Sequence, residues 1–372
     1  MKLLIKRTNT SDDKICKICN LIIPIFLALL CVLGDSASIG KKMILSGLYL
    51  SFPETLFQAQ TRINSNNSEH QNYFNTENLS QVSTVTNSSI PKDIEEMMIL
   101  AEKKYAESSK DGLIIEADYS KQNATSEFNG IYLRNTTLSH KVNISDYVNK
   151  KVYASVDTNQ PSVLIYHTHS TETYELLDKG YYTKEHSSLS EDTKENMIRV
   201  GEEVCRILEE NGYKTIHDRT VYDEEYDGAY SRSFEGVKNI LKDNPSIQVV
   251  LDIHRGTIYQ KDGSHIKTVT EIDGKKVAQI QIISGCEDGN VTAFPNWEKN
   301  FAFAVKLQQQ LVEDNSKIVR PLLLCSRKYN MHLMPCALQI EIGTDANTLL
   351  EAVYSAQLFA ESLSLLLKEY EV

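Results

Sequence analysis

The sequence predicts an α/β fold, with a mostly parallel central sheet and flanking helices over residues 152–372. An N-terminal membrane anchor and a flexible tether are expected before it. Three observations carry this expectation. From Val152 onward, short apolar runs alternate with amphipathic helical stretches, the pattern of a parallel sheet with crossover helices. Near the N-terminus lies a seventeen-residue run without charge, "ICNLIIPIFLALLCVLG", from Ile18 to Gly34. Between these regions is a polar stretch with no sustained period.

Taken in order, Lys2, Lys6, Arg7, Lys14 and Lys17 outnumber Asp12 and Asp13 ahead of the uncharged run. Seventeen residues reach the lower limit of a membrane span, and the basic flank predicts a cytoplasmic N-terminus with the remainder outside. Asp35-Ser36-Ala37-Ser38 offers the rival reading, a cleaved signal peptide. The apolar patch Met43 to Phe52 continues along the outer surface, so residues 1–57 form a basic stub plus a single-pass anchor. Residues 58–90 carry "NSNNSEHQNYFNTENLSQVSTVTNSS", a composition too polar to fold, and read as a linker.

Pro91 then opens a helix whose face holds Ile94, Met97, Met98, Ala101 and Tyr105. Short strand-like pieces, "GLIIEADYS" and "GIYLRNTTLSHKVNI", complete a small juxtadomain region over 91–151. In the main domain the strand candidates are 163–168, 213–217, 247–254, 318–324 and 337–342. The helix candidates are 193–211, 226–242, 296–313 and 347–370. Asn211-Gly212 is a helix stop, and Asp273-Gly274 is a hairpin signal.

Composition narrows the function. A net charge of -11 over 372 residues argues against a protein that grips nucleic acid through its phosphates. The seven cysteines are scattered and odd in number, so no disulfide framework is expected. Cys16 and Cys19 form a lone C-x-x-C with no second pair, while Cys205 and Cys336 fall at packing positions.

Three strand candidates end in polar groups: "VLIYHTHSTETY", "VVLDIHRG" and "ALQIEIGTDAN". In an open parallel sheet, groups beyond the carboxyl ends of neighbouring strands converge. His167, His169, Asp252, His254 and Glu341 are therefore candidates for one site. Two or three imidazoles with a carboxylate suit a zinc ion with one open position. A carboxylate beside it can move the proton, and Glu341 is placed for that work. The alternative is that strand-end histidines are only hydrogen-bonded structural residues. His140, His186, His217, His265 and His332 are assigned to that class, with His332 close to the site. Ser170 has histidine neighbours but no G-x-S-x-G elbow, which disfavours a serine hydrolase.

These blocks, together with "ENMIRVGEEV", "FPNWEKNFAFAVKLQQQL" and "YNMHLMPCALQIEIGTDANTLLEA", resemble the stage II sporulation protein P family. That family comprises membrane-anchored cell-wall hydrolases of endospore-forming bacteria, and is in turn similar to zinc-dependent N-acetylmuramoyl-L-alanine amidases. The resemblance implies an amidase-like fold, His169 and His254 as zinc ligands, and Glu341 as catalytic carboxylate. Gly343 and Asn347 stand at the matching spacings. The amidases take their second ligand from a glutamate four residues before a helix asparagine. Counting back from Asn196 lands on Asp192, with Glu172 competing and Glu191 third. His167, two residues from His169 on a strand of period two, is expected on the same face, touching substrate or supporting the ligands. Asp252 and Asn347 are expected in the same role.

The implied reaction is hydrolysis of the amide between N-acetylmuramic acid and L-alanine in peptidoglycan, with cleavage of stem-peptide links as an additional activity. The implied setting is forespore engulfment, with stage II sporulation proteins D and M as partners. The competing functions are a catalytically weak wall-binding or partner-binding scaffold, and a metallohydrolase of another amide or ester.

Overall fold

A computed structural model describes residues 90–372. The expected anchor at Ile18–Gly34, nearly all of the tether, and Cys16 and Cys19 lie outside the described residues. Among the described residues no helix is long and apolar enough to cross a membrane.

Helix α1 (Lys92–Lys104) starts after Pro91 and carries Asp93 and Glu95 in its first turn and Lys103 and Lys104 in its last. That arrangement complements the helix dipole at both ends. Strands β1 (Gly112–Ala117), β2 (Ser126–Phe128) and β3 (Ile131–Asn135) follow, and β4 (Val163–Tyr166) begins the central sheet. The two-residue β5 (Tyr181–Tyr182) precedes α2 (Met197–Glu210), β6 (Thr215–His217) and α3 (Ala229–Asp243). Strand β7 (Val249–Gly256) leads to β8 (His265–Ile272), β9 (Lys275–Ala278) and β10 (Ile280–Gly285). The chain ends with α4 (Trp297–Asn315), β11 (Leu322–Cys325), β12 (Ala337–Thr344) and α5 (Leu349–Leu367).

Helix α2 begins four residues later than periodicity alone places it. Asn196 caps it, its side-chain oxygen accepting from the Ile198 N–H, so 193–195 remain in the preceding turn. Helix α5 opens with a capping box between Thr348 and Glu351.

The main sheet has eight strands in the order β2-β3-β11-β10-β12-β7-β4-β6. It is mostly parallel, as expected, but mixed: five of its seven strand contacts are parallel and two are antiparallel. The β3–β11, β11–β10, β12–β7, β7–β4 and β4–β6 contacts are parallel, whereas β2–β3 and β10–β12 are antiparallel. A parallel neighbour needs a crossover, usually a helix. Between β7 and β10 the chain instead reverses in the β8–β9 hairpin, at Asp273 (φ 53) and Gly274 (φ 74). A second sheet orders β5-β1-β8-β9. Residues 91–151 therefore contribute strands to both sheets.

The two faces of the central sheet are buried by different helices. Val163, Ile165, Val249, Leu251 and Ile253 join α2, α4 and α5 in the larger core. Leu164, Tyr166 and Val250 join Val237 of α3 on the other face. Consecutive residues of β4 and β7 are buried on opposite sides, which is why both strands read as unbroken apolar runs.

Candidate metal centre

His169, Glu172 and His254 form a group that could hold a metal ion, each offering one ligand atom within 4.8 Å of the others. His254 comes from β7, where strand alternation turns Val250, Asp252 and His254 toward the α3 face. His169 and Glu172 come from the segment after β4. The strand ends at Tyr166, and 168–170 turn. Asp223 anchors this turn, accepting from Ser170 Oγ (3.0 Å), the Thr171 N–H (3.2 Å) and Thr171 Oγ1 (2.6 Å). The Ser170 hydroxyl is thus committed to a structural bond.

The His169 and His254 rings meet edge to face at 5.2 Å, and Tyr226 stacks on His169 at 4.6 Å with Tyr230 against its edge. His254 Nε2 lies 2.8 Å from Asp252 Oδ1, leaving Nδ1 facing Glu172 Oε2 at 3.8 Å. Asp252 is itself fixed by the Thr168 N–H (2.9 Å) and hydroxyl (2.7 Å). Ser233 donates to the Thr168 hydroxyl, and Asn330 Nδ2 donates to Ser233. A chain of hydrogen bonds therefore runs from the loop after β11, through α3, to the carboxylate that orients His254. Such outer partners set which imidazole nitrogen is presented to a metal.

Burial lowers His169 to about 4, so its imidazole is neutral at pH 7 and able to ligate. Burial also opposes charge on His254, but the Asp252 carboxylate outweighs it and raises the imidazole to about 9. Burial pushes Glu172 up to about 7 against the pull of Arg255 and His254. A cation between the three would meet two ring nitrogens and a carboxylate oxygen. Two imidazoles and one carboxylate with an open side is a zinc donor set.

Glu341 stands directly opposite His254 in the β12–β7 register. Gln339 Nε2 donates to its Oε1 (2.9 Å), while Oε2 is buried with no hydrogen-bond partner. It is the second carboxylate beside the cluster, and one of its oxygens remains uncommitted.

Several expected site residues are placed elsewhere. Asp192 is exposed, and its carboxylate accepts from the Lys194 N–H (3.0 Å); Glu191 is exposed as well. The structure brings Glu172, not Asp192, to the two histidines. Thr173 bridges to Asn196, and the Ser190 N–H donates to the Thr171 carbonyl. This folds the 187–196 loop back on the 171–175 segment and leaves Asp192 on its outer side. His167 is not beside His169. It keeps the strand alternation into the α2 face, where its Nδ1 meets the Ile253 carbonyl (2.9 Å) and its Nε2 meets His217 Nε2 (2.9 Å). The period-two rule fails at this point because the strand stops one residue before His167. Asn347 is buried in the β12–α5 turn, bonded to the Thr344 N–H, the Thr268 carbonyl and Glu351. It holds Gly343 (φ +65) and the turn instead of facing the cluster. Asp252 supports His254 from behind. His332 stacks on Phe234. Sequence periodicity carried no signal for Tyr226, Tyr230 or Arg255, which line the cluster from a helix entrance, a helix and a strand end.

The family described as Stage II sporulation protein P matches residues 51–364. The Stage II sporulation protein P of Bacillus subtilis (strain 168) is 26% identical over 232 residues, covering 59% of this chain. The match spans about half (54%) of that relative's length. Among solved structures, the N-acetylmuramoyl-L-alanine amidase AmiC2 of Nostoc punctiforme is similar at 14% identity, covering 58% of this chain and 98% of that one, with a TM-score of 0.34. The CwlD amidase from Clostridioides difficile, in complex with the GerS lipoprotein, is 14% identical over 56% of this chain and 98% of that one, at a TM-score of 0.36.

Proposed function

This chain belongs to the stage II sporulation protein P family, and we propose that it is a zinc-dependent peptidoglycan hydrolase cutting the amide between N-acetylmuramic acid and L-alanine during sporulation. The observation that carries this is the His169–Glu172–His254 cluster with Glu341 opposite His254. His169, Glu172 and His254 would hold the zinc, with Asp252 behind His254. When bound there, zinc supplies Lewis acidity at neutral pH. Glu341 takes the proton of the attacking water through its uncommitted Oε2 and passes it to the leaving amine nitrogen. Gln339 keeps the other oxygen in place. Tyr226 and Tyr230 wall one side of the cluster and limit access of bulk water, which strengthens the electrostatic interactions within it.

The proposal extends to setting. The uncharged run Ile18–Gly34 anchors the chain in the cell membrane, the catalytic domain lies outside, and stage II sporulation proteins D and M are its partners at the engulfing membrane.

Incubating the full-length chain with purified peptidoglycan, with and without chelator, tests the activity by mass spectrometry of the products. Free lactyl ends that require zinc and fall roughly 10²–10⁴-fold in Glu341→Gln are expected. Undiminished release by that variant, or release without metal, overturns the mechanism. Cuts confined to stem-peptide links would reassign the bond.

A further inference from the structure

Four cations are buried among the described residues: Arg199, Arg255, Lys267 and Arg320. Arg199 pairs with Asp93 and Glu203. Lys267 pairs with Glu116, Asp178 and Glu351. Arg255 donates to the Ser188 and Gly256 carbonyls and to Thr257. Arg320, 7% exposed, forms neither an ion pair nor a side-chain hydrogen bond among the described residues. A buried cation without an anion is costly, so such a group calls for an explanation.

Its position supplies one. A Cβ built on Gly256, two residues beyond His254, would lie 3.4 Å from Glu341 Oε2 and 3.6 Å from an Arg320 guanidinium nitrogen. The two side chains thus converge over the same glycine without closing into a salt bridge. Glu341 Oε2 is buried and unpartnered, whereas none of the Arg320 nitrogens is a sealed, unpartnered atom. The Tyr119 ring stands 5.8 Å from the guanidinium carbon. Burial pulls Arg320 down to about 10, with Glu341 partly opposing and Arg134 adding positive field. The guanidinium stays charged at neutral pH, in a place where an anion would relieve it.

We propose that Arg320, walled by Tyr119, is a subsite for a carboxylate on the peptide side of the scissile amide. This rests on the amidase reading given above. The carboxyl of muramic acid is consumed in the amide itself, so a free carboxylate near the cut must come from the stem peptide. Glu341 delivers its proton to the leaving amine, which places the peptide on the Glu341 side, where Arg320 lies. A planar guanidinium accepts a carboxylate through two parallel N–H bonds, which a lysine ammonium cannot reproduce.

The test uses the zinc-loaded full-length chain and two muramoyl-peptide substrates. They differ only in a free carboxylate or a carboxamide on the second stem residue. The wild type should prefer the carboxylate substrate by about 10- to 100-fold in kcat/KM, carried mainly by KM. Arg320→Met should lose that preference, and Arg320→Lys should keep part of it. An unchanged preference in Arg320→Met, or none in the wild type, overturns the subsite. Because Arg320 has no side-chain hydrogen bond or ion pair to lose among the described residues, the melting temperature of Arg320→Met should not fall; a large drop would mean the guanidinium is structural and overturn the assignment. If neither substrate is cut, the amidase reading fails independently. Equilibrium dialysis of L-alanyl-γ-D-glutamate and its α-amide against metal-free protein then decides the subsite alone. A carboxylate preference abolished in Arg320→Met supports it, and equal retention by both proteins rejects it.

Discussion

His167 and His169 stand two residues apart and belong to different worlds. His169 lies in the turn beyond the carboxyl end of β4, stacked on Tyr226 and facing His254 and Glu172. His167 is fully buried against α2, in contact with His217 and the Ile253 carbonyl. A carbonyl can only accept, so His167 Nδ1 carries the hydrogen in the neutral ring and its Nε2 accepts from His217 Nε2–H. His217 Nδ1 is then a bare acceptor, buried without a partner. One histidine pair is placed to meet a cation; the other is held neutral inside the core. The difference lies in the direction of the chain after Tyr166, since imidazole chemistry is the same in both places.

The largest expected effect breaks the edge cluster. Glu172→Ala should abolish stoichiometric zinc and lower hydrolysis at least 100-fold, with Asp192→Ala close to wild type in both. Metal analysis of the purified proteins decides it. Zinc loss in Asp192→Ala with retention in Glu172→Ala would reverse the assignment of the carboxylate.

The next effect addresses the interior pair. A Cβ on Gly201 of α2 would lie 2.5 Å from His167 Nε2 and 2.7 Å from His217 Nε2. In a helix interior, glycine to alanine normally gains about 1 kcal/mol. Overpacking a buried site costs about 1–3 kcal/mol, and here both rings would have to move. Gly201→Ala should therefore be destabilised in urea titration while its zinc content is unchanged. A stabilised variant would show that the pair has room to spare.

The smallest effect is a slope. Burial, reinforced by His167, lowers His217 to about 2. Between pH 6.5 and that value the unfolded chain binds a proton that the folded chain refuses, so stability falls as the pH drops below 6.5. The loss approaches about 1.4 kcal/mol per pH unit for the one group. In metal-free protein, His217→Asn should flatten the dependence of urea midpoints between pH 7 and 5. An identical slope would mean that the pair is not held neutral.

Much of this was legible beforehand because it depends on local rules. The alternation of "VLIY", "VVLDI" and "ALQIE" with amphipathic stretches announced a layered α/β domain. The polar groups ending those runs drew attention to His169, His254 and Glu341, which the strand order brings to one edge. The carboxylate was harder to read. Counting back from Asn196 presumes a loop of standard path, whereas the Thr171–Ser190 and Thr173–Asn196 contacts set the path here. The β10–β12 reversal was hidden for a similar reason, since strand periodicity carries no direction.

Side-chain period and hydropathy are properties of neighbouring residues, so the chain's order alone sufficed for its layers and its strand ends. Which of two histidines meets His254, which carboxylate joins that pair, and why Arg320 stands beside Glu341 without an ion pair among the described residues all depend on contacts between segments far apart in the chain. Their geometry exists only once the two faces of the sheet have been covered, because burial and neighbouring charge, acting through space, give each of these groups its protonation and its partner.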